Sequence, residues 1–324
     1  MQFNSASPVC LTRFARYAIC ALLIIGNAEA SGPEPKKEPK SDLEPNFAIE
    51  KLDENVYLHR GVHASLDDER RGDSANIGFI VGKKCVAVID TGGSIETGEK
   101  LLTAIRSRTE LPICYVINTH VHFDHVLGNA AFLNEEPVYV GHKNLADAMS
   151  GNKSFFVEQF AKELKNRDET SVIGPTKLVE EELVLDLGGR DLILHATDPA
   201  HTDADLSVFD PVSNLLWTGD LVFRERMPIL DASLRGWLKW LQTDYDSVKV
   251  VPGHGRAGDR WAPSTAQIRQ YLEALLTESR TAIAEGVFLE DALESVAASA
   301  AASWQLNDRH VRNVSKAYRE LEWE

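Results

Sequence analysis

Along residues 48–60 apolar and polar side chains alternate, the period-two signature of a half-buried edge strand or hairpin. The runs 77–81 (IGFIV) and 85–89 (CVAVI) are continuously apolar and separated by Gly82-Lys83-Lys84, which predicts a hairpin leading into a buried strand. The second run ends at Asp90-Thr91-Gly92-Gly93, a tight turn, and a helix is expected over about 94–108. Residues 113–117 (ICYVI) read as the next strand, followed by a helix from about 127, a strand at 138–140 and a more polar helical stretch over 143–166. Strands follow at 183–187, 192–195, 206–209, 215–217 and 248–251. The chain then turns helical over 265–285, 289–303 and 308–321. Strands with helices both between and after them predict an α/β fold of two sheets with helices on the outer faces. No repeat or second linker interrupts residues 46–324, so they read as one domain.

The first 45 residues do not fit that pattern. Arg13 and Arg16 precede an apolar run at 17–26, and Ala28-Glu29-Ala30 supplies small residues for cleavage. This tripartite pattern over 1–30 is that of a secretory signal peptide, too short in its apolar run for a stable membrane span. Residues 31–45 (SGPEPKKEPKSDLEP) have almost nothing to bury and are expected to form an unstructured linker. The expected location is therefore periplasmic or secreted, with no stable membrane insertion after cleavage. A formal charge of −15 argues against nucleic acid as a partner and leaves a small molecule as the expected substrate. Removing the signal leaves Cys85 and Cys114 of four cysteines. Both stand near strand starts, and two separate buried thiols are expected in preference to a disulfide.

The chemistry concentrates in Thr119-His120-Val121-His122-Phe123-Asp124-His125. Three imidazoles and a carboxylate within six residues, just after an apolar strand, point to a metal site. His120 and His122, two apart on an extended loop, present their rings the same way, while Asp124 and His125 suit a second ion close by. His201 (DPAHTD), Asp220 (WTGD) and His254 (VPGHG) each follow an apolar strand, where α/β sites are usually built. His63, in a segment that could cover a groove, and Arg224, Arg226 and Trp237 are further candidates for the pocket wall. His142 and His195 follow strands and read as hydrogen-bonded core or rim residues, and His59 is the remaining histidine before the C-terminal helices.

The order Asp90 (VIDTGG), HVHFDH, His201, Asp220 (TGD) and His254 (PGHG) resembles the metallo-β-lactamase superfamily from about residue 50 to 255. The resemblance implies an αββα sandwich with C-terminal helices and metals in the groove at the edge shared by two similar halves. It implies that His120, His122 and His201 hold one ion, that Asp124, His125 and His254 hold the other, and that Asp220 bridges them. Asp124 would also orient the nucleophile, and Asp90 would orient a ligand histidine. The cofactor implied is zinc, two ions per chain, with iron as the rival. Two divalent cations outweigh the charge of Asp124, Asp220 and a hydroxide, so water there would acidify to a pKa of about 7.

Within that superfamily the chain departs from the true β-lactamases, which carry Cys or Ser where Asp220 stands. The stretch 220–241 and the ending 310–322 look most like the periplasmic metallohydrolases that accompany quinoprotein relay and sulfur-oxidation systems. That likeness implies a periplasmic quinoprotein system as partner. The expected activity is zinc-dependent hydrolysis of an ester, thioester or lactam-type bond. The rivals are a mononuclear iron persulfide dioxygenase, because two histidines and a carboxylate also suit non-haem iron, and a non-catalytic quinoprotein partner.

Overall fold

The computed structural model describes residues 47–324 except 244 and 246. The signal peptide and linker expected over 1–45 lie outside the described residues. The chain opens with the hairpin β1 (Ile49–Asp53) and β2 (Val56–His59), then β3 (Ile77–Val81), β4 (Val86–Ile89) and helix α1 (Ile95–Arg106). After β5 (Ile113–Ile117) come a single helical turn, α2 (Phe123–Val126), and strand β6 (Val138–His142). Helix α3 (Leu145–Gln159) and strand β7 (Lys177–Val179) complete a seven-stranded sheet in the order β1-β2-β3-β4-β5-β6-β7. The second sheet comprises β8 (Glu182–Asp186), β9 (Asp191–Ala196), β10 (Leu206–Asp210), β11 (Leu215–Phe223) and, after α4 (Leu234–Leu241), β12 (Lys249–His254). Its order is β12-β11-β10-β9-β8. The chain ends in α5 (Trp261–Ala284), α6 (Leu289–Ser295), α7 (Ala298–Ala301) and α8 (His310–Leu321). Among the described residues no helix is long and apolar enough to cross a membrane.

Strand alternation builds the layers. In β4, Ala87 and Ile89 join β11's Leu215 and Trp217 and β12's Val251 in the core between the sheets. Val86 and Val88 point the other way, onto Leu101 and Ile105 of α1. On the second sheet, Leu216 and Val250 face outward onto Trp237 of α4, Leu272 of α5 and Val314 of α8. The central strands β3, β4 and β11 are buried on both faces because each face is covered, so the molecule is the αββα sandwich expected, with C-terminal helices added.

Several local expectations need correcting. The helix expected from about 127 is a 3-10 stretch (Leu127–Glu135), and α3 stops at Gln159, short of 166. The helix expected over 289–303 breaks after α6, where Val296 is extended and Ala297 takes a left-handed φ of 52°. There the Ala297 N–H donates to Glu278 Oε2 of α5 at 2.6 Å. Strand β7 and helix α4 are additions to the elements that the sequence pattern predicts. Cys85 and Cys114 form a disulfide, contrary to the expected free thiols. Strands β4 and β5 are parallel neighbours with Val86 opposite Ile113, and this register brings the two Cα atoms to 5.7 Å, within bridging range.

Candidate metal centre and cleft

Strand ends from both sheets supply the site. Asp90 follows β4, the loop 118–122 follows β5, and Asp124 and His125 sit on α2. His201 lies in the turn between β9 and β10, Asp220 within β11, and His254 at the end of β12. The structure brings all seven expected ligands together. One group comprises His120, His122, His201 and Asp220, and the other Asp124, His125 and His254. Two glycines permit this convergence. A Cβ on Gly253 would stand 1.9 Å from Asp220 Oδ1, and Gly219, at φ +49°, presses against Thr119.

The hydrogen bonds fix which ring nitrogen carries each proton, because carboxylates and carbonyls only accept. His125 Nδ1 donates to Asp90 Oδ2 at 2.7 Å and His254 Nδ1 donates to the Ser74 carbonyl at 2.8 Å. His201 Nδ1 donates to the Ile229 carbonyl at 2.6 Å, and His122 Nε2 donates to Asp231 Oδ2 at 2.7 Å. Thr119 gives its own hydroxyl proton to Asp90 Oδ2, so it accepts from His120 Nδ1 at 3.0 Å. Each imidazole can thus commit one N–H to these partners and turn its other nitrogen inward, the arrangement a metal ligand requires. His122 Nδ1 and His201 Nε2 lie 3.0 Å apart, close enough to share one proton or one metal ion.

The two oxygens of Asp220 divide between the groups. Oδ1 lies 3.2 Å from both His125 Nε2 and His254 Nε2, while Oδ2 lies 3.5 Å from His120 Nε2 and 3.4 Å from His201 Nε2. His120 Nε2, His125 Nε2 and Asp220 Oδ1 are buried without a hydrogen-bond partner, which is costly unless they hold a metal. Burial, with neighbouring imidazoles, depresses His120 well below the usual histidine range and His201 to about 4, so both present neutral rings. Burial alone would raise the Asp220 carboxyl, but His254, His125 and His120 outweigh it and hold it well below the carboxylate range. The donor set of imidazole nitrogens and carboxylates therefore fits a dinuclear centre.

Positions around the ligands include residues that the sequence did not single out. Ser74 Oγ donates to Asp124 Oδ2 at 2.8 Å. Asp231 and Ile229, which orient His122 and His201, share one loop with Leu230, whose N–H donates to Asn313 Oδ1 of α8 at 2.9 Å. Asn313 Nδ2 donates to the Pro228 carbonyl at 2.7 Å, and Arg312 of α8 pairs with Asp231. Asp90 takes a positive φ of 54°, an uncommon state that Asp tolerates better than most residues.

A cleft of about 360 Å³ opens over the centre, lined by His122, Asp124, Asp220 and His254 at its floor. Of the wall candidates Arg226 lines it, with Nη1 3.7 Å from Asp124 Oδ2. His63 does not line it and instead contacts Gln305 at 2.8 Å. Arg224 pairs outside the cleft with Asp259, and Trp237 packs beneath the His201 ring with its indole N–H on the Leu221 carbonyl. Of the other histidines, His59 donates to the Ala48 carbonyl and contacts Asp73, His142 is buried, and His195 lies near Glu182.

Such a fold and donor set define a metallohydrolase. The metallo-β-lactamase superfamily pattern matches residues 70–269. A probable metallo-hydrolase of Methanocaldococcus jannaschii is 32% identical over 210 residues, covering 61% of this chain and 95% of that protein. The metallo-β-lactamase IND-1 of Chryseobacterium indologenes is 27% identical over 196 residues, 58% of this chain and 73% of the other. Among solved structures, a metallo-β-lactamase from Pontibacter korlensis superposes with a TM-score of 0.54 at 22% identity, over 70% of this chain and 98% of that one. A sec-alkylsulfatase from Pseudomonas sp. gives 0.59 at 15% identity, over 85% and 50%. The chain belongs to the metallo-β-lactamase superfamily and is a metal-dependent hydrolase of it.

Proposed function

We propose that this protein is an exported dinuclear zinc hydrolase of an ester, thioester or lactam-type bond. The carrying observation is Asp220, whose two oxygens each face one group of inward lone pairs. Two divalent ions bound there would supply Lewis acidity and bring water to a neutral pKa. Asp124, at the cleft floor with one oxygen held by Ser74, would help hold one ion and is placed to orient a water there and accept its proton as that water adds to the acyl carbon. The bond from carbon to the leaving oxygen, sulfur or nitrogen then breaks, and the proton passes to the leaving group. Arg226 Nη1 lies 3.7 Å from the same Asp124 oxygen and adds a positive charge beside it.

Export is supported by the tripartite start of the sequence and by the Cys85–Cys114 disulfide, a bond typical of oxidising compartments. Association with a periplasmic quinoprotein system is supported by the likeness of the stretches 220–241 and 310–322. Asp220, in place of the Cys or Ser of true β-lactamases, argues against antibiotics as the main substrates. Elemental analysis with an ester, thioester and lactam panel tests the reading. Two zinc ions per chain with turnover support it, whereas one iron with oxygen uptake on a persulfide would replace it with a dioxygenase.

A further inference from the structure

The two walls of the cleft differ in chemistry. One is aromatic: Phe123 stacks on Phe160 at 4.2 Å between ring centroids, and Phe155 packs edge-on against Phe160 at 6.1 Å. Phe155, with Leu66, also lines the cleft while remaining exposed at 52%, so part of this apolar wall is unpartnered. The other wall is basic, formed by Arg309 and Arg312 at the start of α8 together with Arg226. Spaced i and i+3, Arg309 and Arg312 share a helix face. Two of these cations are committed to the centre, Arg226 beside Asp124 and Arg312 on Asp231. Among the described residues Arg309 pairs only with its own neighbour, the exposed Asp308, at 3.5 Å, a weak contact that an incoming anion can replace.

A partly exposed aromatic wall and a weakly paired guanidinium lining the same cleft as the candidate metal ligands specify the ligand. We propose that the cleft takes an amphipathic monoanion, with its alkyl or aryl body on Phe155 and Phe160 and its carboxylate or sulfate head at Arg309. This rests on reading the cleft as the substrate site of the hydrolase. Arg309 immediately precedes α8, beyond the residues that match the superfamily pattern, so the specificity belongs to the C-terminal extension.

Calorimetric titration of the full metal-loaded protein with octanoate, octyl sulfate, octan-1-ol, acetate and inorganic sulfate tests this. At least one of the two octyl anions should bind about tenfold or more tightly than octan-1-ol and the two small anions, a ratio expected of one charge-assisted hydrogen bond. The preferred octyl anion then identifies the head group. Arg309→Ala should remove that preference over octan-1-ol while Arg309→Lys keeps part of it, and Phe155→Ala should weaken octyl anion and alcohol alike. Acetate binding as tightly as octanoate would place the carboxylate on the metals and overturn the proposal, as would an unchanged preference in Arg309→Ala. Turnover of 4-nitrophenyl acetate, measured on the same samples, reports on the hydrolase reading separately.

Discussion

Asn313→Ala separates the stability of the C-terminal helix from its service to the metal centre. Asn313 is fully buried, accepting from the Leu230 N–H at 2.9 Å and donating to the Pro228 carbonyl at 2.7 Å. Truncation leaves one buried donor and one buried acceptor unpaired, at about 1–3 kcal/mol each, so a loss of about 2–6 kcal/mol is expected. For a domain of this size that lowers Tm by roughly 4–24 °C. The same loop supplies the Ile229 carbonyl that orients His201 and the Asp231 carboxylate that orients His122. Loosening it should weaken the ion held by His120, His122 and His201 by about 10–100-fold, the usual cost of losing outer support of a ligand histidine. The ion held by Asp124, His125 and His254 should be unaffected, since Asp90 and Ser74 support those histidines. Scanning calorimetry and stepwise chelator competition measure the two effects on one preparation. A fall in Tm with both ions bound as tightly as before would refute the coupling of α8 to the centre.

Asp220→Ala should retain about one ion per chain and lose most hydrolysis, because a single carboxylate faces both groups and its removal also leaves two cations less screened; two tightly held ions would contradict it. Thiol titration of denatured, unreduced protein should find neither Cys85 nor Cys114 free. Replacing Cys114 by Ser opens a loop of sequence separation 29, for an expected loss of about 3–4 kcal/mol in chemical denaturation. Gly253→Ala should abolish metal binding at normal secondary-structure content by circular dichroism, since its Cβ would collide with Asp220 Oδ1.

The metal donors were legible because they cluster in sequence or stand just after apolar strands, so strand periodicity and residue type alone point to them. The residues that hold those donors were not. Asp231 lies 109 residues from His122, and Ser74 lies 50 from Asp124. An isolated Asp or Ser in a loop carries no local signal of a distant partner. Arg309 and Asn313 looked like ordinary members of a terminal helix until its packing placed them over the cleft and under the loop. The disulfide was misjudged because strand order and register, which decide whether two cysteines meet, are set by packing between segments. Helix α4 was overlooked although Leu234, Trp237, Leu238 and Leu241 follow a helical apolar spacing behind Ser233, which caps it by accepting from the Gly236 N–H. Strand β7, three residues long and exposed at two, is too short to show a period.

The most direct test of the account is the number of metal ions bound per chain in purified, folded protein, measured by elemental analysis alongside protein quantitation. Five imidazoles with their protons turned outward, and a buried carboxylate shared between two groups, predict close to two divalent ions per chain, with hydrolysis lost when a chelator removes them and restored by zinc. A protein that is folded, holds no more than one ion at saturating metal, and hydrolyses its substrates at full rate would contradict that account.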